Sequence, residues 1–75
     1  MLKTLDTLQP GESGKVMIVG DSGVLRRRLL DMGITPKTTI KVIKIAPLGD
    51  PMEISLRGYG LSIRKEDASK ITVEV

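Results

Sequence analysis

The fold is decided by residues 52–63, which read Met-Glu-Ile-Ser-Leu-Arg-Gly-Tyr-Gly-Leu-Ser-Ile. Up to position 56 apolar side chains alternate with polar ones, which is the period of a strand with one buried and one solvated face. Gly58-Tyr59 suits a two-residue type II′ turn, because that turn needs glycine at its first central position. The stretch therefore predicts a β-hairpin. Its predicted pairs are Leu56 with Leu61, Ser55 with Ser62, Ile54 with Ile63 and Glu53 with Arg64.

Further strands are predicted on both sides of the hairpin. Residues 15–19 form an almost continuous apolar run between glycines, which is typical of a strand covered on both faces. In residues 39–46 the apolar alternation slips by one position, which indicates a β-bulge near Val42-Ile43. Residues 71–75 alternate again and predict the last strand. With the hairpin these segments give five strands, and residues 65–68 are predicted to be a turn.

One helix is predicted, over residues 23–32. Asp21-Ser22 can cap its N-terminus, and Gly33, with a proline soon after it, ends it. A glycine at this position allows a Schellman motif in which Ile34 folds back against Leu29. At about 100° per residue, the face that is expected to pack on the strands consists of Leu25, Leu29 and Met32.

Composition limits what the chain can do. Seventy-five residues with a formal charge of +3 make a single domain, residues 1–75. The sequence has no Cys and no His, so it lacks the side chain that most often transfers protons near neutral pH, and we expect no enzyme. No apolar run approaches the roughly 18 residues that span a bilayer, and Asp6 interrupts any signal-peptide core, which predicts a cytoplasmic protein.

Cofactor and metal sites have little support in the sequence. Carboxylates are the only strong metal ligands, and they suit magnesium or calcium better than iron or zinc, which usually bind imidazole or thiolate. Residues 11–16 resemble the end of a phosphate-binding loop, but that loop wants glycine in place of Gln9 and Ser or Thr in place of Val16. We therefore predict no cofactor and no metal site.

The predicted helix carries the sharpest charge cluster, Arg26–Arg28. One interpretation is a solvated face on which Arg27 pairs with Asp31. However, three cations in the first half of a helix oppose its dipole, and Leu30 lies off the packing face among these arginines. Both features favour a binding role.

A second candidate surface is the loop 46–51, where Leu48 lies between two prolines. Its side chain either caps the end of the barrel or stands exposed. Apolar side chains framed by charges are typical of protein-binding patches. The predicted partner-binding residues on the helix and this loop are Arg26, Arg27, Leu30, Leu48 and Asp50.

Three motifs carry a family likeness. They are Leu25-Arg-Arg-Arg-Leu-Leu-Asp-Met-Gly-Ile-Thr-Pro36, Ala46-Pro-Leu-Gly-Asp-Pro51 and Leu56-Arg-Gly-Tyr-Gly-Leu-Ser-Ile-Arg-Lys65. In this order and spacing, from about Leu5 to the C-terminus, the chain resembles the ferrous iron transport protein A family, FeoA. One departure is Lys37, where the family often has glycine, so we expect a type I turn there and no positive φ.

The resemblance implies a mainly β fold, a small SH3-like five-stranded β-barrel with one short α-helix inserted after the first strand. It also implies an accessory or regulatory protein of bacterial ferrous iron uptake. Such a protein binds the FeoB permease and its cytosolic GTP-binding domain, and it reaches the membrane only through that partner. The same module resembles the C-terminal domain of iron-dependent repressors of the diphtheria toxin repressor type, although this chain has no helix-turn-helix.

Two other functions stay open at this point. A pI near 9.5 suits a small nucleic-acid-binding barrel, but Tyr59 is the one aromatic residue available for stacking, so we expect no nucleic acid. A weak divalent-metal-binding module would depend on carboxylates alone. Weak self-association stays open as well, because the free strand edges of a small barrel can pair with a second copy.

Overall fold

A computed structural model describes residues 1–20 and 23–75. Its elements are β1 (Leu2–Thr4), a 3-10 helix (Leu5–Thr7), β2 (Ser13–Val19), α1 (Gly23–Asp31), β3 (Thr39–Ile45), β4 (Met52–Leu56), β5 (Tyr59–Ile63), α2 (Lys65–Ala68) and β6 (Ile71–Glu74). The strands form one antiparallel sheet in the order β1-β6-β2-β3-β4-β5. This confirms a mainly β fold with a short helix. The predicted cap, Asp21-Ser22, lies outside the described residues.

The described residues contain one more strand and one more α-helix than predicted, and α1 follows the second strand instead of the first. Strand β1 pairs with β6 through Leu2 and Glu74, but its three residues are too few for alternation to be visible in the sequence. Residues 65–68 are helical where a turn was predicted. The Asp50 side chain accepts a hydrogen bond from the Lys65 N–H at 3.0 Å and so satisfies one of the free donors at the start of α2.

Strand β4 shows the alternation that its sequence predicts. Met52, Ile54 and Leu56 are buried, whereas Glu53 and Ser55 between them are partly exposed. Buried aliphatic side chains from β2, β3, β5, β6, both α-helices and the 3-10 helix complete the core. A continuous aliphatic core therefore stabilises this domain without aromatic side chains.

Bulges interrupt both long strands. The register of β3 against β4 shifts between Val42 and Lys44, which confirms the predicted bulge. The register of β2 against β6 also shifts, between Val16 and Ile18, so that Met17 and Ile18 are both about half exposed. The prediction that this strand is covered on both faces was therefore wrong, because the bulge breaks the alternation that would bury position 18.

The β4–β5 hairpin turns at Arg57-Gly58 and not at Gly58-Tyr59. Both central residues have positive φ, 49° and 86°, as a type I′ turn requires. The observed pairs are Leu56 with Tyr59, Ser55 with Gly60, Ile54 with Leu61, Glu53 with Ser62 and Met52 with Ile63. The predicted register was wrong by two residues, which leaves every side chain on its predicted face.

Arginine rarely adopts positive φ, and tertiary contacts explain why Arg57 does so here. One of its guanidinium nitrogens, Nη2, donates hydrogen bonds to the hydroxyls of Thr35 and Thr38, each at 3.0 Å. These two hydroxyls are themselves 2.8 Å apart, and Thr38 is buried. The contact fixes the tip of the hairpin to the turn that follows α1.

The end of α1 follows the predicted Schellman motif. Gly33 has a φ of 96° and donates its N–H to the Leu30 carbonyl at 3.0 Å, and the Ile34 N–H donates to the Leu29 carbonyl at 3.1 Å. Ile34 is fully buried. The Tyr59 hydroxyl donates to the Met32 carbonyl at 2.8 Å, so the hairpin also satisfies a carbonyl at the end of this helix.

The turn at Lys37 differs from the expectation. Thr38 N–H donates to the Thr35 carbonyl at 3.1 Å, and Lys37 has a φ of 75°, which fits a type II turn with proline at its second position. The type I prediction was wrong because β2 holds this turn. Lys37 N–H donates to the Val16 carbonyl at 2.7 Å, and Val16 N–H donates to the Thr38 carbonyl at 2.8 Å.

Candidate functional site

Helix α1 lies on the barrel through the predicted face. Leu29 is fully buried, and Leu25 and Met32 are partly buried against the core. The end of β2 also approaches the helix closely, because a Cβ built on Gly20 would lie 3.2 Å from the Arg26 Cα. Arg26 and its neighbour Arg27 are left exposed on the outer side.

The three arginines of α1, Arg26–Arg28, differ in their contacts. Arg28 Nη2 lies 3.0 Å from Asp67 Oδ2, which ties α1 to α2. Arg27 and Asp31 form no ion pair in the part of the chain that the structure describes. The pairing considered from the sequence is therefore not formed. Arg28 is also exposed, with 57% of its side chain accessible, but it is paired with Asp67, whereas Arg26 and Arg27 form no ion pair within the described ranges.

Three of the five predicted residues line one shallow surface depression, namely Arg26, Arg27 and Leu30, together with Gly23 and Asp31. Leu30 is only partly exposed and packs against the core. The prediction that it stands outside the packing face was wrong, because this face is wider than the stripe defined by Leu25, Leu29 and Met32. Leu30 thus contributes an apolar side chain to the lining of this depression, together with Arg26 and Arg27.

Leu48 lies at the tip of the loop between β3 and β4. The Gly49 N–H donates to the Ala46 carbonyl at 2.7 Å and closes a turn with Pro47 and Leu48 at its centre. The Leu48 side chain is 96% exposed. The alternative in which it caps the barrel end is therefore wrong, and the loop holds a fully solvated leucine in a defined turn.

Asp50 has a structural contact. Its Oδ1 accepts the Lys65 N–H, as described above, and the Ala46 N–H donates to the Pro51 carbonyl at 3.1 Å, which closes the base of the same loop. Leu48 and Asp50 do not line the depression on α1. The structure thus places the five predicted residues on two patches, the outer side of α1 and the loop 46–51.

Replacing Asp50 with alanine is expected to lower the free energy of unfolding by about 1 kcal/mol, because the Lys65 N–H loses its acceptor. Urea unfolding followed by circular dichroism measures this loss. Asp50→Asn keeps an acceptor oxygen and should recover most of it. If both variants are as stable as the parent chain, the hydrogen bond contributes nothing.

Val24 was missed in the sequence analysis. It is 82% exposed in the first turn of α1 and lines a second shallow depression with Gly23 and Arg27. The helical wheel contained the signal, since position 24 lies about 100° from Leu25 and away from the packing face. Val24 therefore adds an apolar side chain to the outer side of α1.

Residues 1–20 and 23–75 contain neither a candidate metal centre nor a candidate membrane-spanning helix. Within them, no three Asp or Glu side chains are grouped so that they could hold a metal ion. Neither helix in these ranges has the length and apolar character needed to cross a membrane.

Comparison with known proteins supplies the family. A model of the FeoA domain matches residues 3–75. The chain is 41% identical over 71 residues to a fusion protein of Porphyromonas gingivalis that joins Fe(2+) transport protein A to the Fe(2+) transporter FeoB. This match covers 95% of the chain but 8% of the fusion protein, so the chain corresponds to a small part of that polypeptide.

Solved structures agree with this fold. A FeoA-like protein from Clostridium acetobutylicum superposes with a TM-score of 0.92 at 39% identity, over 99% of this chain and 86% of that one. A FeoA from Stenotrophomonas maltophilia, solved with zinc and described as a prokaryotic SH3 domain protein, gives 0.83 at 22% identity over 96% and 89%. A manganese-dependent transcriptional repressor gives 0.86 at 16% identity over 97% and 41%. The last two show the fold alone, which is SH3-like and shared with metal-dependent repressors.

Proposed function

Because this chain belongs to the FeoA family, we propose that it is an accessory protein of ferrous iron uptake that acts by binding the membrane transporter FeoB. The observation that carries the proposal is the Porphyromonas gingivalis fusion, in which a segment 41% identical to this chain shares a polypeptide with FeoB. Fusion keeps two domains at a high effective concentration, which is useful when they act on each other. The proposed activity is binding and not catalysis.

We further propose that the contact is made by the outer side of α1 and the tip of the loop 46–51. Leu48 exposes nearly its whole side chain to water, and Val24 is 82% exposed beside Arg27. Burying a leucine completely is worth about 1.5–3 kcal/mol, which makes Leu48 an effective anchor for a partner. Exposed arginines next to such anchors are typical of interfaces.

A titration of the isotope-labelled chain with the nucleotide-loaded GTP-binding domain of a FeoB-type transporter tests this proposal. Saturable changes of the amide signals of residues 23–31 and 46–51 are expected. Binding with changes confined to other residues would contradict the proposed surface. If neither this domain nor the detergent-solubilised whole transporter changes the spectrum, the proposed function is wrong.

Leu48→Asp is expected to weaken binding to the transporter at least tenfold, because it puts a charge where the partner would bury an apolar side chain. Calorimetry or the same titration measures the affinity. Leu2→Asp is the matched control, since Leu2 is also an exposed leucine but lies on β1. Equal effects of the two substitutions would contradict a specific role of Leu48.

A further inference from the structure

The loop 46–51 presents Leu48 to solvent but contributes nothing to the core. None of its residues is buried, and the Leu48 side chain is 96% exposed. Two hydrogen bonds give the loop its shape, from the Gly49 N–H to the Ala46 carbonyl and from the Ala46 N–H to the Pro51 carbonyl. Both bonds lie within the loop itself, so they join it to no other element.

Asp50 joins the loop to the rest of the domain. Its Oδ1 accepts a hydrogen bond from the Lys65 N–H at the start of α2, at 3.0 Å. Within residues 1–20 and 23–75, no other hydrogen bond and no ion pair connects the loop 46–51 to another element. A carboxylate that accepts a backbone N–H forms a charge-assisted bond, which is stronger than a bond between neutral groups. The direction in which the loop presents Leu48 therefore depends on Asp50.

Helix α2, which donates this bond, is fixed to the core and to α1. Ala68 at its end is fully buried. Asp67 Oδ2 lies 3.0 Å from Nη2 of Arg28 on α1. Directly after α2, the Lys70 carbonyl accepts the N–H of Gly20, which follows β2 on the way to α1, at 2.8 Å. Helix α2 thus connects the loop 46–51 with α1, which are the two parts of the proposed contact surface.

We propose that Asp50 is a positioning residue of the proposed transporter contact, on which this inference rests. By binding the start of α2, Asp50 holds Leu48 in a fixed place relative to α1. Asp50, which the sequence predicted to contact the partner, thus acts on binding through Leu48. A loop that is already ordered before association loses less conformational entropy when the partner binds.

The first test needs no partner. Amide relaxation of the isotope-labelled chain compares the parent with Asp50→Ala and Asp50→Asn. In Asp50→Ala we expect the order parameters of Leu48 and Gly49 to fall below about 0.6, the range of flexible backbone, while the α1 amide signals stay unchanged and show that the domain is folded. Asp50→Asn keeps an acceptor oxygen and should keep most of the order. Equal order parameters in the parent chain and Asp50→Ala would overturn the inference.

The second test measures affinity for a detergent-solubilised FeoB-type transporter by calorimetry. Asp50→Ala should bind about two- to tenfold more weakly, which is the cost of ordering one or a few side chains on association. Asp50→Asn should recover most of the affinity. In a Leu48→Ala background, Asp50→Ala should lower the affinity further by less than about twofold, because the side chain that Asp50 positions is already absent.

Glu12→Ala is the matched control. The Glu12 carboxylate also accepts a backbone N–H, that of Gln9 at 2.7 Å, but it lies in the loop before β2. The variant loses a comparable hydrogen bond and should bind the transporter like the parent chain. A loss of affinity equal to that of Asp50→Ala would mean that destabilisation alone weakens binding, which would contradict a positioning role.

Two further results would overturn the inference. Additive losses for Asp50→Ala and Leu48→Ala would make Asp50 a contact in its own right. A loss in Asp50→Asn as large as in Asp50→Ala would show that the partner recognises the charge of Asp50. If the parent chain itself does not bind the transporter, the proposed function is wrong, whereas the relaxation measurements still decide whether Asp50 orders the loop. The two failures are therefore distinguishable.

Discussion

Replacing Leu29 with alanine should lower the free energy of unfolding by about 2–5 kcal/mol. The Leu29 side chain is fully buried and is the main apolar contact between α1 and the barrel. A core of this size stabilises a domain by about 3–5 kcal/mol, so the variant should be largely unfolded at 37 °C. Urea unfolding, followed by circular dichroism at several temperatures, measures the loss.

Leu30→Ala is the matched control for this prediction. It removes the same atoms from the neighbouring position, but Leu30 is only partly buried, so its loss should be smaller. Equal losses would mean that the helix is held equally by both leucines. A chain in which α1 alone melts while the strands keep their amide signals would contradict the expectation that helix and barrel unfold together.

The second large effect is expected for Gly33→Ala, at about 2–3 kcal/mol. Holding alanine at a φ of 96° costs about 1–2 kcal/mol. The new Cβ would also collide with the Tyr59 hydroxyl, which must move and give up its hydrogen bond to the Met32 carbonyl. That bond adds about 1 kcal/mol to the loss.

A double-mutant cycle with Tyr59→Phe isolates this contact. Tyr59→Phe alone should cost about 1 kcal/mol, because the Met32 carbonyl loses its donor. In the double variant the hydroxyl that obstructs the Cβ is absent, so the total cost should fall below the sum of the single losses by about 1 kcal/mol. Strictly additive losses would show that the hydroxyl and position 33 do not interact.

The parts of the fold that were predicted correctly are specified by nearby residues. The Schellman motif follows from Gly33 and its immediate neighbours, and the bulge in β3 follows from one change of alternation near Val42. The hairpin register was wrong because it depends on hydrogen bonds from Arg57 to two threonines 19 and 22 positions earlier in the chain. Sequence patterns contain no information about such tertiary contacts.

In the candidate site, too, some features depend on nearby residues and could be predicted, whereas others depend on tertiary contacts and could not. The exposure of Arg26 and Arg27 was predictable from the helical wheel, since it depends only on the direction of each side chain. The half-burial of Leu30 depends on how far the barrel surface extends under α1. The contact from Arg28 to Asp67 joins residues 39 positions apart, and the contact from Asp50 to the Lys65 N–H joins residues 15 apart. No local pattern predicts either of them.

The hydrogen bonds at the tip of the β4–β5 hairpin have a consequence for recognition. A helix of nine residues is too short to be stable in isolation. Here the Tyr59 hydroxyl binds the end of α1, and Arg57 binds the turn after it, so the helix is held in its final shape before any partner arrives. For the partner that is proposed to bind α1, this surface is therefore pre-organised, and association there would cost little conformational entropy beyond that of a few side chains.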